Sequence, residues 1–187
     1  MKELSLHIMD IMQNSVAAGA GLIELDLNEQ PDKDFLEFTI TDNGCGMDED
    51  MVKRIIDPFT TGRTTRRVGL GIPLLKLAAE NTGGGISIKS EVGVGTKVTA
   101  RFGYHHIDRE PLGDMAQTVH QIITSYEETD FLYRHTVGKN TFSVDTRELK
   151  KILDGVSFKT PEVLLWLLEY LKDGETELCN SLNLSEK

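Results

Sequence analysis

The sequence predicts an α+β fold, in which a mixed β-sheet carries helices on one face. Near the N-terminus apolar residues recur at helical spacing, and in the segments that follow they alternate with charged residues, as in strands. Glycine-rich or polar turns separate these segments, which is typical of layered domains. We expect one two-layer sandwich over residues 1–104 and a small αββαα C-terminal module over residues 105–187.

The first domain is predicted to contain three helices and four strands. Apolar residues three and four positions apart predict a helix over residues 3–18, which Gly19 and Gly21 end. Asp48 suits the N-cap of a short helix through Ile56, and a loop rich in Thr and Arg covers residues 57–68. The remaining predicted elements are strands at 22–28, 35–42, 86–90 and 96–102 and a helix at 70–81.

The C-terminal module follows a boundary near residues 104–111. We predict helices at 112–126, 146–154 and 161–172 and strands at 130–137 and 140–145. The last helix is apolar on most sides, because it contains Leu164, Leu165, Trp166, Leu167, Leu168 and Leu171. We favour packing of this helix against the hairpin at 130–145, and the alternative is a dimer or partner interface.

Composition excludes several classes of function. A formal net charge of -10 argues against nucleic acid and against anionic membrane lipids, since both require clustered Lys and Arg. Cys45 and Cys179 form no CxxC pair, so neither a disulfide framework nor a zinc site is expected. We see no N-terminal signal and no apolar run long enough to span a bilayer, and we therefore expect a cytoplasmic protein.

A carboxylate followed by two glycines ends the second predicted strand. Asp42 there could accept a hydrogen bond from the exocyclic amine of adenine, whereas guanine would present a carbonyl and leave the charge unpaired. Gly44 and Gly46 would let the backbone approach a flat base. Taken alone, the same residues also fit an ordinary turn.

Two further patterns are ambiguous by themselves. Gly69 and Gly71 open a predicted helix, where free N–H groups form an anion site, although close helix packing would also explain them. Asp10 and Asn14 lie one turn apart on the first helix, with Asn14 expected on a buried face among Ile and Met. An amide oxygen suits Mg²⁺ and a carboxylate suits water activation, but a solvated polar stripe is the simpler interpretation.

The order of these patterns resembles one superfamily. Asn14 on the first helix, Asp-x-Gly-x-Gly after a hairpin, Phe-Thr-Thr before a loop, Gly-x-Gly opening a helix and Gly95-Thr96 between strands follow the motif order of the GHKL (Bergerat-fold) ATPases. That superfamily includes histidine-kinase catalytic domains, anti-sigma serine kinases, MutL-type repair ATPases, gyrase-type subunits and heat-shock chaperones. The resemblance covers about residues 4–103.

The resemblance implies a role for each matching residue. Asn14 would hold Mg²⁺ against the phosphates of ATP, and Asp10 would serve as the base where hydrolysing members commonly carry Glu. Asp42 would read adenine, with Gly44, Gly46, Met47 and Thr96 around it. Phe59, Thr60 and Thr61 would open a lid, and Gly69, Leu70 and Gly71 would offer backbone amides to the phosphates.

Two departures from the superfamily pattern bear on activity. Asp10 is shorter than Glu by one carbon–carbon bond, roughly 1.5 Å, which puts hydrolysis but not binding in question. Arg67 stands where kinases often have a third glycine, and Arg63, Arg66 or Arg67 could reach the γ-phosphate or simply be solvated.

The motifs near the lid resemble histidine kinases and anti-sigma kinases more than MutL. We therefore expect an MgATP-binding regulatory kinase or ATP-dependent switch that acts on a protein partner, with a homodimer possible. The alternatives are a non-catalytic nucleotide-dependent interaction protein and a MutL-like ATPase. No histidine follows a phosphoacceptor motif, although His120 lies on a predicted helix, and no dimerising hairpin is expected ahead of Asn14.

Overall fold

The computed structural model describes residues 3–56 and 71–185, with side chains described through residue 180. The six helices of these ranges are α1 (Leu4–Ala17), α2 (Glu49–Ile56), α3 (Gly71–Glu80), α4 (Met115–Ser125), α5 (Thr146–Leu153) and α6 (Pro161–Ser185). The six strands are β1 (Leu22–Gln30), β2 (Phe35–Asp42), β3 (Gly85–Glu91), β4 (Gly95–Gly103), β5 (Asp130–Val137) and β6 (Asn140–Asp145).

All six strands belong to one mixed sheet with the order β3-β4-β2-β1-β5-β6. Every neighbouring pair is antiparallel except β1 and β5, which run parallel with Leu22 opposite Asp130 and Glu29 opposite Val137. The predicted α+β class and the mixed sheet are therefore confirmed. The hairpin of the C-terminal part extends the sheet of the first four strands, and the division at residue 104 remains a prediction.

The helices cover one face of the sheet, because the strands have one apolar face. In β1, Ile23, Leu25 and Leu27 are buried, whereas the intervening Glu24 and Asp26 are partly exposed. On the apolar face α1 packs on β1 and β2, α3 on β3 and β4, α4 on β5, and α6 on β5 and β6. The buried side chains form one continuous core beneath these helices.

The last helix differs most from its predicted bounds. We predicted that it ends at residue 172, yet α6 continues to Ser185 through Gly174. A side chain at position 174 would overlap the ring of Phe142, so the glycine allows α6 to pass close over β6. Close packing therefore explains this glycine, which does not end the helix.

Packing buries one side of α6 and leaves the other exposed. Leu167 and Leu171 are completely buried in the core, as expected for packing against the hairpin. Leu165 is 65% exposed and Trp166 is 41% exposed. None of the helices in the described ranges is long and apolar enough to cross a membrane.

The segment between the two parts of the chain holds the beginning of α1. The N–H groups of Leu4 and Ser5, which have no partner within the helix, donate to the carbonyls of Pro111 (2.9 Å) and Leu112 (2.8 Å). The buried His7 pairs through Nε2 with Glu110 Oε2 at 3.2 Å. The C-terminal part is thus attached to α1 as well as to the sheet.

Candidate functional site

Asp42, at the end of β2, is held by three donors. Ser15 on α1 donates from Oγ to Asp42 Oδ2 at 2.6 Å. The backbone N–H groups of Gly44 (2.9 Å) and Thr96 (3.3 Å) donate to Asp42 Oδ1. A carboxylate that receives three donors is fixed as an acceptor, and its orientation is set by α1, β4 and its own turn.

A pair of hydroxyl groups lies beside this carboxylate. Thr96 stands opposite Asp42 in the β2–β4 register, and its hydroxyl is 2.8 Å from Ser90 Oγ on β3. Ser90 Oγ also accepts from the Met47 N–H at 2.8 Å and contacts the Gly95 carbonyl at 3.0 Å. The structure therefore brings the predicted residues Asp42, Met47 and Thr96 together, linked by Ser90.

The turn from Asn43 to Met47 lies between the end of α1 and the β3–β4 turn and contacts both. Asn43 Oδ1 accepts from the N–H groups of Gly21 (2.8 Å) and Leu22 (2.9 Å), while Cys45 N donates to the Ala18 carbonyl (2.9 Å). Gly46 has φ +66°, and a side chain there would overlap the carbonyl of Glu91. The sequence Asp-Asn-Gly-Cys-Gly thus serves both as a structural turn and as a frame for Asp42.

The second group of predicted residues lies on a flank of α1. The Asp10 carboxylate lies against Gly71, so closely that a side chain on Gly71 would overlap Asp10 Oδ2. Gly71 is the first residue of α3 in the described part of the chain. The structure therefore places the predicted base beside the predicted phosphate-binding helix.

Asn14 is exposed, which corrects the expectation of a buried face. The buried stripe of α1 runs through Leu4, Ile8, Ile11 and Ser15, and Asn14 lies about a third of a turn to one side of it. Asp10 is partly exposed on the same flank, one turn earlier. The two side chains are therefore available to a ligand.

A shallow depression of about 270 Å³ opens at the ends of β2, β4 and β3. Its lining includes Asp42, Ser90 and Thr96 together with further strand residues and Val94 of the β3–β4 turn. The further strand residues are Thr41, Lys89, Glu91, Gly95 and Lys97. It does not include Asp10, Asn14 or Gly71, which lie on the helical side. The polar cluster is thus open to solvent at the strand ends.

Several predicted residues lie outside the described residues. These are Phe59, Thr60, Thr61, Gly69 and Leu70, together with the lid arginines Arg63, Arg66 and Arg67. His120, the weak phosphoacceptor candidate, is partly buried on α4, and its Nε2 lies 3.0 Å from the Leu164 carbonyl. The described ranges contain no cluster of three or more His, Cys, Asp or Glu residues that could hold a metal ion.

Ser15, Ser90 and Asn43 were missed as parts of the site. Each is a short polar residue beside a recognised motif, and each makes a local contact that spacing does not reveal. Ser15 carried the clearest signal, because it is a hydroxyl on the apolar stripe of α1, and buried polar groups need a partner. Its partner Asp42 is 27 positions away in the sequence, so only the fold joins them.

One buried histidine lies near this flank of α1. His7 is only 1% exposed, and burial lowers its pKa below the ordinary value, opposed by the charge of Glu110. Neutral His7 therefore fits the interior of the helix at physiological pH. It sits one turn before Asp10, between the site and the segment that holds the first turn of α1.

Comparison with known proteins identifies the family of the chain. A family model described as histidine kinase-, DNA gyrase B-, and HSP90-like ATPase matches residues 2–106. The chain is similar to the sensor histidine kinase YxdK of Bacillus subtilis, at 32% identity over 54% of this chain and 33% of that protein. It is also similar to the sensor kinase CckA of Brucella abortus, at 35% identity over 45% of this chain and 9% of that protein.

A solved structure shares the fold. The N-terminal domain of a DNA repair protein superposes with a TM-score of 0.51 at 14% identity, covering 78% of this chain and 52% of that one. The chain spans a third or less of the length of the two sensor kinases. Since the family model covers more than half of the chain, this protein belongs to the family of histidine kinase-, DNA gyrase B-, and HSP90-like ATPases.

Proposed function

We propose that this chain binds MgATP between α1, α3 and the β2 end of the sheet, and that it acts as a regulatory kinase or ATP-dependent switch on a protein partner. The observation that carries the proposal is the Asp42 carboxylate, which three donors fix as an acceptor. Membership of an ATPase family and similarity to sensor kinases support the choice of ATP and of a signalling role.

The recognition of adenine follows from the hydrogen bonds around Asp42. Ser15, Gly44 and Thr96 all donate to the carboxylate, so its remaining acceptor capacity requires a donor on the ligand. The exocyclic amine of adenine is such a donor, whereas guanine would set a carbonyl against the charge. An acceptor set against an acceptor leaves both without a donor, which is unfavourable, and we therefore propose that the site prefers ATP over GTP.

The phosphates would lie at the flank of α1 that faces α3. Gly71 leaves room beside Asp10, and the free N–H groups at a helix N-terminus attract anions. A phosphate close to the Asp10 carboxylate requires a cation between them. Asn14 fits Mg²⁺, because its amide oxygen is a hard ligand and Mg²⁺ usually takes its other ligands from phosphates and water.

Asp10 is the residue that would act on the γ-phosphate side. When bound, Mg²⁺ would neutralise phosphate charge, and Asp10 would orient or deprotonate a water or a partner hydroxyl for attack. Because Asp10 is one bond shorter than Glu, a slow enzyme or a non-catalytic switch also fits.

Isothermal titration of ATP and ADP, with and without Mg²⁺, tests the proposal. Asp42→Asn should weaken binding of both nucleotides by roughly 100-fold, since a hydrogen bond to a charged group contributes about 2–3 kcal/mol. Asp108→Asn, at an exposed carboxylate away from the site, is the matched control and should bind as wild type. Equal affinity of Asp42→Asn and wild type would refute the adenine assignment.

The kinase part of the proposal needs a separate measurement. With γ-labelled ATP and candidate partner proteins, a kinase transfers label to protein, and Asp10→Asn should abolish transfer without loss of ATP binding. If the label is released only slowly, as free phosphate, the chain is not a kinase, and the ATP-dependent switch is the function that fits. Unchanged turnover in Asp10→Asn would show that Asp10 is not the base.

A further inference from the structure

The two edges of the sheet differ in how they are protected. The β3 edge has Lys89 inside the strand and Glu91 at its end, and charged side chains on an edge prevent pairing with other strands. The β6 edge is uncharged from Thr141 to Val144, and within the described ranges β6 pairs with β5 alone. The β6 edge therefore presents backbone groups that can accept another strand.

An aromatic cluster, formed by Phe142, Tyr170 and Trp166, lies beside the β6 edge. Gly174 of α6 passes over the ring of Phe142 on β6, while Glu175 turns the other way and contacts Tyr133 on β5. The Tyr170 ring, one turn before Gly174, lies 5.8 Å from the Phe142 ring. The flank of α6 that carries Tyr170 consequently lies on the outer side of the sheet, beyond the last strand.

Trp166 is the third member of this aromatic cluster. Its ring stacks on Tyr170 with centroids 5.6 Å apart and planes at 11°. The two rings are 41% and 39% exposed, although aromatic side chains of this size usually contribute to cores or interfaces. The stacked, half-exposed aromatic pair and the free edge of β6 lie on the same side of the molecule, and we call the surface between them the groove.

Acidic residues continue the same stripe of α6. Glu162, Trp166, Tyr170, Asp173 and Glu177 recur three or four positions apart, so they share one flank of the helix. The three carboxylates are exposed, and so is the neighbouring Glu169. The cations nearest in sequence are Lys172, on another side of α6, and Lys159, which pairs with Glu127 at 4.0 Å. The groove thus has an apolar centre and an acidic rim.

We propose that this groove docks an extended, basic segment of a partner protein. The segment adds beside β6 as a seventh strand, places an apolar side chain against Trp166 and Tyr170, and sets Lys or Arg against the acidic rim. The charges favour such a partner over a second copy of this chain, because a copy would bring another net charge of -10 to the same place.

The groove is separate from the nucleotide site and extends beyond the proposed function. β6 is three strands away from β2 in the sheet, about 14 Å at ordinary strand spacing. A docked segment therefore leaves Asp42 accessible. Peptide binding is measured without nucleotide, so its failure and the failure of ATP binding are separate results.

Panning a random dodecapeptide library against the full chain tests the proposal. Enriched peptides should be net positive, and enrichment should disappear when Trp166 and Tyr170 are both changed to alanine. Leu165→Ala is the matched control, because Leu165 is 65% exposed and lies about a third of a turn away from Trp166 and Tyr170 around α6. No enrichment above the double variant, or enrichment of acidic peptides, would overturn the proposal.

The best peptide is then synthesised with a fluorescent label and titrated by anisotropy. We expect the double alanine variant to bind at least about tenfold more weakly, as for aromatic interface residues, and the charge reversal Asp173→Lys with Glu177→Lys to do the same. N-methylation of alternate peptide nitrogens should abolish binding because it blocks strand pairing. Full binding of the N-methylated peptide would refute strand addition.

Sedimentation velocity tests whether the groove is instead occupied by a second copy of this chain. We expect a monomer at micromolar concentration both for wild type and for the double variant. A dimer that disappears in the double variant would show that the groove holds a second copy, and the proposal would then be wrong. Thermal melting of each variant verifies that these exposed substitutions leave the fold intact.

Discussion

Two polar clusters of this protein lie on the helical side of the same sheet, and they are built differently. In the first, hydroxyl and backbone donors hold Asp42 at the open end of β2. In the second, His135 is buried between two carboxylates, with Nδ1 2.8 Å from Glu175 and Nε2 2.9 Å from Glu29. Glu175 also accepts from the Tyr133 hydroxyl at 2.7 Å.

The difference separates a candidate binding site from a structural support. Both ring nitrogens of His135 are used, and the residue is only 1% exposed, so the cluster offers little to a ligand. Burial opposes its charged form, but the hydrogen bonds and charges of Glu175 and Glu29 outweigh burial and raise the pKa of His135 to about 9. The Asp42 cluster is fixed from one side and open on the other, as a binding site requires.

The largest expected effect is a loss of stability when the buried cluster of His135, Glu29 and Glu175 is broken. His135→Gln removes the cation and leaves Glu29 and Glu175 facing each other at 12% and 15% exposure. The free energy of unfolding, measured in urea, should fall by about 3–5 kcal/mol, as for other buried ion pairs that lose one partner. ATP affinity of the folded variant should not change.

His105→Gln is the control for that substitution. His105 pairs with Asp34 at 3.0 Å, but both side chains are about two-thirds exposed, so its unfolding midpoint should match wild type. Equal stability of the His135 and His105 variants would contradict the structural role of the buried cluster.

The pH dependence of stability provides the second test. Because the pKa of His135 is raised from 6.5 to about 9 on folding, its contribution is complete below pH 6.5 and is lost as pH rises through 9. The loss should be about 3 kcal/mol over this window, since a tenfold change in proton affinity corresponds to about 1.4 kcal/mol. Urea titrations across this pH range measure it.

The same pH series in His135→Gln should lack this decline. His7 acts in the opposite direction, because its lowered pKa removes stability only as pH falls below 6.5, outside the window. A wild-type stability that stays constant from pH 6.5 to 9 would show that His135 is not charged in the folded protein.

A smaller effect, on ATP affinity, is expected when a donor to Asp42 is removed. Ser15→Ala removes the Oγ donor that holds Asp42 Oδ2 at 2.6 Å, while two backbone donors remain. ATP affinity should fall about tenfold, within the range for one hydrogen bond to a charged group, with little change in stability. Ser87→Ala, on the exposed part of β3, should bind ATP as wild type. Identical titrations for both variants would remove Ser15 from the site.

The smallest effect is a test of space beside Asp10. Gly71→Ala should displace the Asp10 carboxylate from its rotamer, which costs about 1 kcal/mol, and should slow ATP turnover about fivefold without a change in ATP affinity. Gly85→Ala is the control, because a side chain there would meet no atom within 4 Å. Unchanged turnover in Gly71→Ala would show that the position of the Asp10 carboxylate does not matter for the reaction.

The fold class was predictable because local periodicity reflects burial. β5 and β6 match their predicted bounds, and β2 does as well, since alternating apolar residues between polar turns leave little freedom in the ends of a strand. Asp48 caps α2 as predicted, because its side chain accepts from the Met51 N–H at 2.7 Å. Capping and turn chemistry involve neighbours in sequence, and a sequence displays them directly.

The candidate site was predictable only in part. Asp42, Met47 and Thr96 were recognised by motif order, yet the two serines that join them to α1 and β3 were not. Asn14 was expected on a buried face because its neighbours are apolar. Its angular position around α1 places it outside the buried stripe. A motif identifies residue types, whereas the donors around each group come from distant segments.

The sequence by itself thus determined the order of the helices and strands, the ATPase family and the motif at the end of β2. Only the tertiary structure decided that β5 joins β1, that His135 lies between Glu29 and Glu175, and that α6 extends over the β6 edge. The physical reason is that these features are contacts between residues about a hundred positions apart or between packed faces. Their free energy depends on close packing and shared burial, which no local pattern records.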